Sequence, residues 1–483
     1  MDEAAVIIVA LLVAIAVLSA AARAINVPYP IVLVIGGAVL GLLPGLPDVT
    51  LDPDLVLLIF LPPLLYAGAF FANLRDLRAD LRTISMLSIG LVLATVLVVA
   101  AVAHELIGDL SWPAAFALGA IVGPTDPVAA TAIARRLGVP RRQVSILEGE
   151  SLLNDATALV VYGIAIRGAV TFSLLDAGWD FVWKAAGGIA LGLAVGWVIA
   201  EVRRRLEDPL IENTIGLLTG YAAYVPAEEL GLSAVLAAVT VGCYVGWQAP
   251  RIASPATRIQ GFGMWELLQF LLNAILFMLV GLELPTVLDA LQETDPGTLA
   301  AYAAAVSAAV VITRMAWGHG VVWIVRGLDR RASQRARRAD WRARTVVGWA
   351  GMRGAVSLAA ALALPGDFPH RDLLVFITFS VIFATLVVQG LTLPPLIRVL
   401  RVVDDGADEQ REELKARMVA TQAALARLEE LALEEWTRDE TVERMRNLYE
   451  YRRRRLKARA GKIEDDGFED RSVDYQTILS EVL

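Results

Sequence analysis

The 483-residue chain has one cysteine, Cys243, and three histidines. A lone cysteine excludes an internal disulfide framework. Charge is scarce: 19% of residues are Asp, Glu, Lys or Arg, against 57% hydrophobic. A soluble protein of this length could not hide so much apolar surface, so a soluble globular class is excluded and a polytopic membrane protein is indicated. Lysine is nearly absent, and the basic residues are arginines gathered in short loops and the C-terminal tail. Met1-Asp2-Glu3 lacks the positive region that opens a signal peptide. Residues 4–22 are therefore expected to be a retained first transmembrane helix.

Apolar stretches recur to about residue 400. They fall at 4–22, 30–46, 51–71, 83–107, 112–134, 143–167, 183–202, 211–226, 231–247, 262–283, 298–325, 345–365 and 373–397. Alternate loops carry Arg23; Arg75, Arg78 and Arg82; Arg135, Arg136, Arg141 and Arg142; Arg203, Arg204 and Arg205; Arg251 and Arg258; and the run from Arg326 to Arg344. The intervening loops are acidic or neutral, with Arg167, Lys184 and Arg371 as exceptions. The positive-inside rule then puts the N-terminus outside and the C-terminus in the cytoplasm. The expected fold is all-α, with about thirteen transmembrane helices over residues 1–400 and a cytoplasmic helical tail over 404–483.

Polar groups stand where lipid should be. Glu150-Ser151-Leu152-Leu153-Asn154-Asp155 interrupts the sixth span, and Gly123-Pro124-Thr125-Asp126-Pro127 the fifth. A carboxylate at the bilayer centre costs roughly 2.5–3.5 kcal/mol on insertion scales, so two such sites point to a path for cations or protons. The twelfth span holds Gly348, Gly351 and Gly354 around Arg353. Gly and Pro free backbone groups, tolerable at membrane depth only beside protein or a wet cavity. Paired broken helices suggest two inverted repeats, spans 1–6 and 8–13, crossing at the midplane.

Helical spacing puts Ser151 and Asp155 on one face, and Glu150 and Asn154 on another. Ser151, Asp155 and Asp126, with carbonyls freed near Thr125, would offer oxygens to a small hard cation such as Na⁺ or Li⁺. Low dielectric disfavours an isolated charge, so a proton can compete with the metal ion at one carboxylate. Arg314 lies deep in the eleventh span and needs a counter-charge. Glu150 is the preferred partner, with Glu148 or Asp126 as alternatives. Arg353 is expected to bind carbonyls of its own broken helix. Glu266, Gln269 and Asn273 share helical spacing, with Asn273 a candidate for cavity lining and Glu266 near the inner interface. His319 reads as a packing residue with a possible influence on pH response; His104 and His370 read as incidental.

Beyond residue 404 the chain becomes highly charged. Leu414, Met418, Leu425, Leu428 and Ala432 suggest one amphipathic helix, and Thr437 with Glu440 a capping box for a second. Arg452 to Arg455 offer charge to anionic lipid, although a self-packed helical hairpin is the simpler reading.

At these motifs the chain resembles the monovalent cation:proton antiporter-1 family, the NhaP-type proteins and animal Na⁺/H⁺ exchangers. The resemblance rests on Phe60-Leu61-Pro62-Pro63-Leu64-Leu65, Gly123 to Ala129, Leu147 to Asp155, and Gly351-Met352-Arg353-Gly354-Ala355. It implies a homodimer in which a mobile core domain moves against a dimerisation domain. It also implies that Asp155 binds cation and proton in turn, that Thr125, Asp126 and Ser151 help coordinate the cation, and that Glu150 pairs with Arg314. Asn154 beside Asp155 goes with electroneutral one-for-one exchange in that family. Where many relatives carry an acid after the Pro-Pro motif, this chain has Tyr66-Ala67-Gly68-Ala69.

The expected function is therefore Na⁺(Li⁺)/H⁺ antiport, with K⁺/H⁺ antiport as the rival. No resident cofactor or nucleic acid is implied; membrane lipid, a second copy and an unidentified ligand of the tail are the expected partners. An intramembrane aspartyl protease using Asp126 and Asp155 is the remote alternative. It lacks that class's Gly-x-Gly-Asp signature and gives Glu150, Asn154 and Arg314 nothing to do.

Overall fold

The computed structural model describes residues 3–25, 27–43, 53–166, 174–206, 208–289, 291–292, 294–328, 340–403, 407–434 and 436–460. Among the described residues, every regular element is a helix. In chain order the helices are α1 (Glu3–Ala24), α2 (Tyr29–Gly41), α3 (Pro53–Phe71), α4 (Leu74–Ser85), α5 (Val92–Leu106), α6 (Trp112–Val122), α7 (Val128–Arg136), α8 (Arg141–Ile166), α9 (Leu174–Arg203) and α10 (Pro209–Glu229). There follow α11 (Ala234–Ile252), α12 (Pro255–Leu282), α13 (Leu284–Asp289), α14 (Pro296–Leu328), α15 (Trp341–Trp349), α16 (Ala355–Leu362), α17 (Arg371–Ala384) and α18 (Gly390–Leu400). Two more lie in the tail: α19 (Ala407–Leu431) and α20 (Asp439–Arg459).

The apolar stretches at 4–22, 30–46, 51–71, 143–167, 183–202, 211–226, 231–247, 262–283 and 298–325 each fall on a single helix, whereas those at 83–107, 112–134, 345–365 and 373–397 each span two; the parts at 44–46, 51–52 and 167 lie outside the described residues. Among the described residues, five runs are long and apolar enough to cross a membrane: Leu74–Leu106, Val182–Arg203, Pro255–Asp289, Pro296–Val321 and Arg371–Leu400. Val9–Ala24, Tyr29–Gly41, Leu58–Phe71 and Trp112–Val122 are shorter apolar helices. The protein is an all-α, multi-pass membrane protein.

Side-chain oxygens start several helices: Asn73, Ser111, Asp208, Ser233 and Ser254 each accept from backbone N–H groups of the following turn. One feature was not legible in the sequence. α4 runs into α5 through a π-helical turn at Met86–Leu91, where Trp317 Nε1 donates to the Met86 carbonyl at 3.2 Å. A wide turn misaligns the backbone ladder, and the indole fills the gap.

The chain forms two compact units, Met1–Val403 and Asp404–Leu483. Within the first, α2 packs along α12, while α11 packs on α3, α9 and α10. α5 packs on α6 and α14, and α6 on α8. α2 and α12 meet at glycines: a Cβ on Gly37 would strike the Met278 carbonyl, and one on Gly281 the Val34 carbonyl. That approach is open only to residues without a side chain.

The expected breaks are present. Residues 123–127 separate α6 from α7, and 350–354 separate α15 from α16. The two breaks touch, since the Asp126 N–H donates to the Met352 carbonyl at 2.8 Å. Arg203, counted above among the loop charges, is instead 4% exposed and paired with Glu212 at 3.6 Å.

In the tail unit, α19 and α20 pack on each other. Leu414, Met418, Leu425, Leu428 and Ala432 lie on the less exposed side of this segment. The expected capping box is absent. α20 begins after Arg438 with no side-chain cap, and the Thr437 hydroxyl donates back to Leu431 and Glu434 carbonyls at 2.8 Å. Leu431 closes α19 and Glu434 lies in the turn after it, so the hydroxyl serves the end of the preceding helix and not the start of α20.

Candidate functional site

The two breaks and the middle of α8 converge on a cavity of about 560 Å³. Asp155, Asp126, Ser151 and Thr125 all line it, as do Glu148, Arg135 and the α12 residues Glu266, Gln269 and Asn273. α3 supplies an apolar wall through Leu61, Leu64, Leu65 and Phe71.

α8 divides its polar side chains by helical phase. Ser151 and Asp155 face the cavity, and Asp155 is 8% exposed. Glu150 and Asn154 turn to the protein behind it. Asn154 Nδ2 donates to Thr125 O at 3.0 Å and to Thr125 Oγ1 at 3.2 Å. Thr125 Oγ1 in turn donates to Glu150 Oε1 at 2.9 Å. Asn154 and Glu150 thus hold the first break in register with α8. The Thr125 hydroxyl is committed to this network, so its availability to a ligand in the cavity is through its remaining lone pair.

Glu150 and Arg314 form an ion pair, with Nη1 to Oε1 at 2.5 Å and Nη2 to Oε2 at 2.9 Å. The two parallel bonds make a bidentate clamp. Arg314 also donates to the carbonyls of Gly348 at 3.1 Å and Val347 at 3.2 Å, which α15 leaves open as it ends. Glu148, the alternative partner, is paired with Arg135 at the mouth of the cavity.

Arg353 does more than serve its own helix. Its Nε donates to Val122 O at 3.0 Å, at the end of α6, and its Nη1 to Gly351 O. One planar guanidinium therefore ties the two breaks together. Its backbone N–H donates to Thr385 Oγ1 at 3.1 Å.

Asp126 Oδ1 accepts from Val128 N at 2.8 Å, which pins the carboxylate to the first turn of α7. A Cβ on Gly354 would run into this same carboxylate. The glycine is there because the acid needs its space. Among the described residues, no three His, Cys, Asp or Glu side chains converge as a metal cluster. The arrangement is instead a mixed set of carboxylate, hydroxyl and carbonyl oxygens, suited to a hard cation.

The histidines stand apart. His319 Nε2 lies 3.3 Å from Thr345 Oγ1, His104 Nδ1 lies 2.7 Å from Leu110 O, and His370 takes a left-handed conformation before α17.

Residues 7–399 match the family model described as sodium/hydrogen exchanger, transmembrane. The chain belongs to the sodium/hydrogen exchanger family. Membership places it among membrane antiporters and not among enzymes, which sets the protease alternative aside. It is 37% identical to an uncharacterized Na⁺/H⁺ exchanger of Mycobacterium tuberculosis, over 92% of this chain and 84% of the relative. It is 34% identical to the Na⁺/H⁺ antiporter ApNhaP of Aphanothece halophytica, over 83% and 75%. It is also 32% identical to a sodium, potassium, lithium and rubidium/H⁺ antiporter of Bacillus pumilus, over 77% and 58%. The sodium proton antiporter MjNhaP1 of Methanocaldococcus jannaschii shares the fold, with a TM-score of 0.58 at 19% identity over 81% of this chain and 98% of that one.

Proposed function

We propose that the chain exchanges one Na⁺ or Li⁺ for one proton, with the two competing for Asp155. The carrying observation is a count of charge around the cavity floor. Three carboxylates, Asp126, Glu150 and Asp155, stand with two guanidinium groups, Arg314 and Arg353. One negative charge is left over, and a single proton or a single monovalent ion satisfies it. Asn154 adds hydrogen bonds without adding charge. Asp126, Ser151 and Thr125 complete the cation's oxygen shell in this reading, while Glu150, Arg314 and Arg353 brace the breaks.

In the same reading, residues 1–400 contain a core that carries α6–α8 and slides as an elevator against a dimerisation part, within a homodimer. The two broken helices belong to inverted repeats. The N-terminus lies outside and the C-terminus in the cytoplasm of a cell membrane, following the arginine bias of the loops. The tail over 404–483 regulates exchange. K⁺/H⁺ antiport is the second reading, favoured by the Bacillus relative that carries sodium, potassium, lithium and rubidium.

Purified protein in proteoliposomes with an inward acid gradient tests both. Na⁺, Li⁺ or K⁺ is added while a pH dye is followed, with voltage clamped by valinomycin at matched K⁺ or left free in the Na⁺ and Li⁺ series. Proton movement with Na⁺ and Li⁺, indifferent to voltage, supports the first reading. A response to K⁺ of equal size supports the second. A strong voltage dependence contradicts one-for-one exchange.

A further inference from the structure

The polar stripe on α12 is not accounted for by Asp155 and its neighbours. Glu266, Gln269 and Asn273 follow one another at three and four residues, so they share one face. Over those seven residues the helix rises about 10 Å. Burial grades along the stripe: Glu266 is exposed, Gln269 half-buried and Asn273 only 9% exposed. The span 262–282 has no other charged or amide side chain. Polar groups on a membrane helix are costly and persist where they line water or find partners.

All three line the same cavity as Asp126 and Asp155, beside the apolar wall of α3. Asn273 Nδ2 donates to Gln269 O at 2.7 Å on its own helix. That uses one of the amide's two N–H donors, fixes the side chain, and leaves its oxygen, an acceptor, for a ligand in the cavity. At the mouth, Glu148 is engaged by Arg135, whereas Glu266 has no ion-pair partner among the described residues. The uncompensated negative charge of the opening therefore belongs to Glu266.

We infer that Glu266, Gln269 and Asn273 form an entry subsite for the transported monovalent cation, a ladder of oxygens leading from the mouth toward Asp155 and Asp126. The inference rests on the exchange reading above. Glu266 concentrates cations at the opening, and the two amide oxygens replace waters the ion sheds on its way in. A proton does not need such a ladder, since water can relay it.

Glu266→Gln removes the charge and keeps the shape. In proteoliposomes at low ionic strength it should raise the KM for Na⁺ about 5-fold, with kcat unchanged. Choline chloride at about 0.5 M should close most of that gap, because screening shortens the reach of the lost charge. Glu266→Asp should restore the wild-type KM. Asn273→Ala should also raise KM, but by a factor that added salt does not change. A wild-type KM for Glu266→Gln at low ionic strength, or a loss confined to kcat, overturns the inference while leaving the exchange reading intact. A wild-type protein that moves no protons with any cation defeats the exchange reading itself, and the ladder with it.

Discussion

The ion pair behind the cavity makes a quantitative test of how the fold is braced. Glu150 and Arg314 are 1% and 2% exposed, and Arg353 is close enough to interact electrostatically with both. Glu150→Gln would leave Arg314 and Arg353 buried near each other without the anion that both interact with. Removing one partner of a buried pair costs about 3–5 kcal/mol, and this variant should fall at the upper end. Arg314→Met leaves Glu150 with Arg353 nearby and the Thr125 hydroxyl still donating. It also strips donors from the carbonyls of Val347 and Gly348, at about 1 kcal/mol each. The two single losses should therefore sum to about 8 kcal/mol, whereas the double variant, which removes both partners of the pair together, should lose about half of that. Unfolding midpoints and denaturant curves of the purified protein, in one detergent, give the comparison. The double variant is predicted to be more stable than Glu150→Gln alone. Losses that add to within about 0.5 kcal/mol would refute the coupling and the reasoning built on it.

Three further outcomes are expected. Gly354→Ala should displace the Asp126 carboxylate and slow exchange by about two orders of magnitude in folded protein, and a wild-type initial rate in proteoliposomes would contradict that geometry. Asn154→Ala should destabilise by about 1–3 kcal/mol through loss of its two bonds to Thr125, read as a lower thermal midpoint; an unchanged midpoint would mean the network is idle. Ending the chain at Val403, where the first unit ends, should preserve exchange and shift its pH profile. Complete loss in a folded protein would make the tail part of the transport machinery.

The breaks were readable because their cause is local. Pro124 and Pro127 lack N–H groups, and Gly348, Gly351 and Gly354 are poor helix formers. The division of α8 into a face with Ser151 and Asp155 and another with Glu150 and Asn154 follows from helical period alone. What surrounds each face does not. That Thr125 is held by both Asn154 and Glu150 depends on how the first break packs against α8, and that Arg353 bridges Val122 and Gly351 depends on two helix breaks meeting more than 200 residues apart in the chain. Arg203 looked like a loop charge because sequence shows neither its burial nor Glu212 beside it. The π-helical turn at Met86–Leu91 left no signal, because the indole that stabilises it comes from α14.

The central claim, that a proton and a cation compete for one carboxylate, is tested most directly without any membrane. Purified protein in weakly buffered detergent solution near neutral pH is mixed with Na⁺, and proton release is measured with a pH indicator. Wild-type protein should release up to about one proton per chain, and folded Asp155→Asn should release none. Equal release from both would show that the exchanged proton sits elsewhere and would contradict the account.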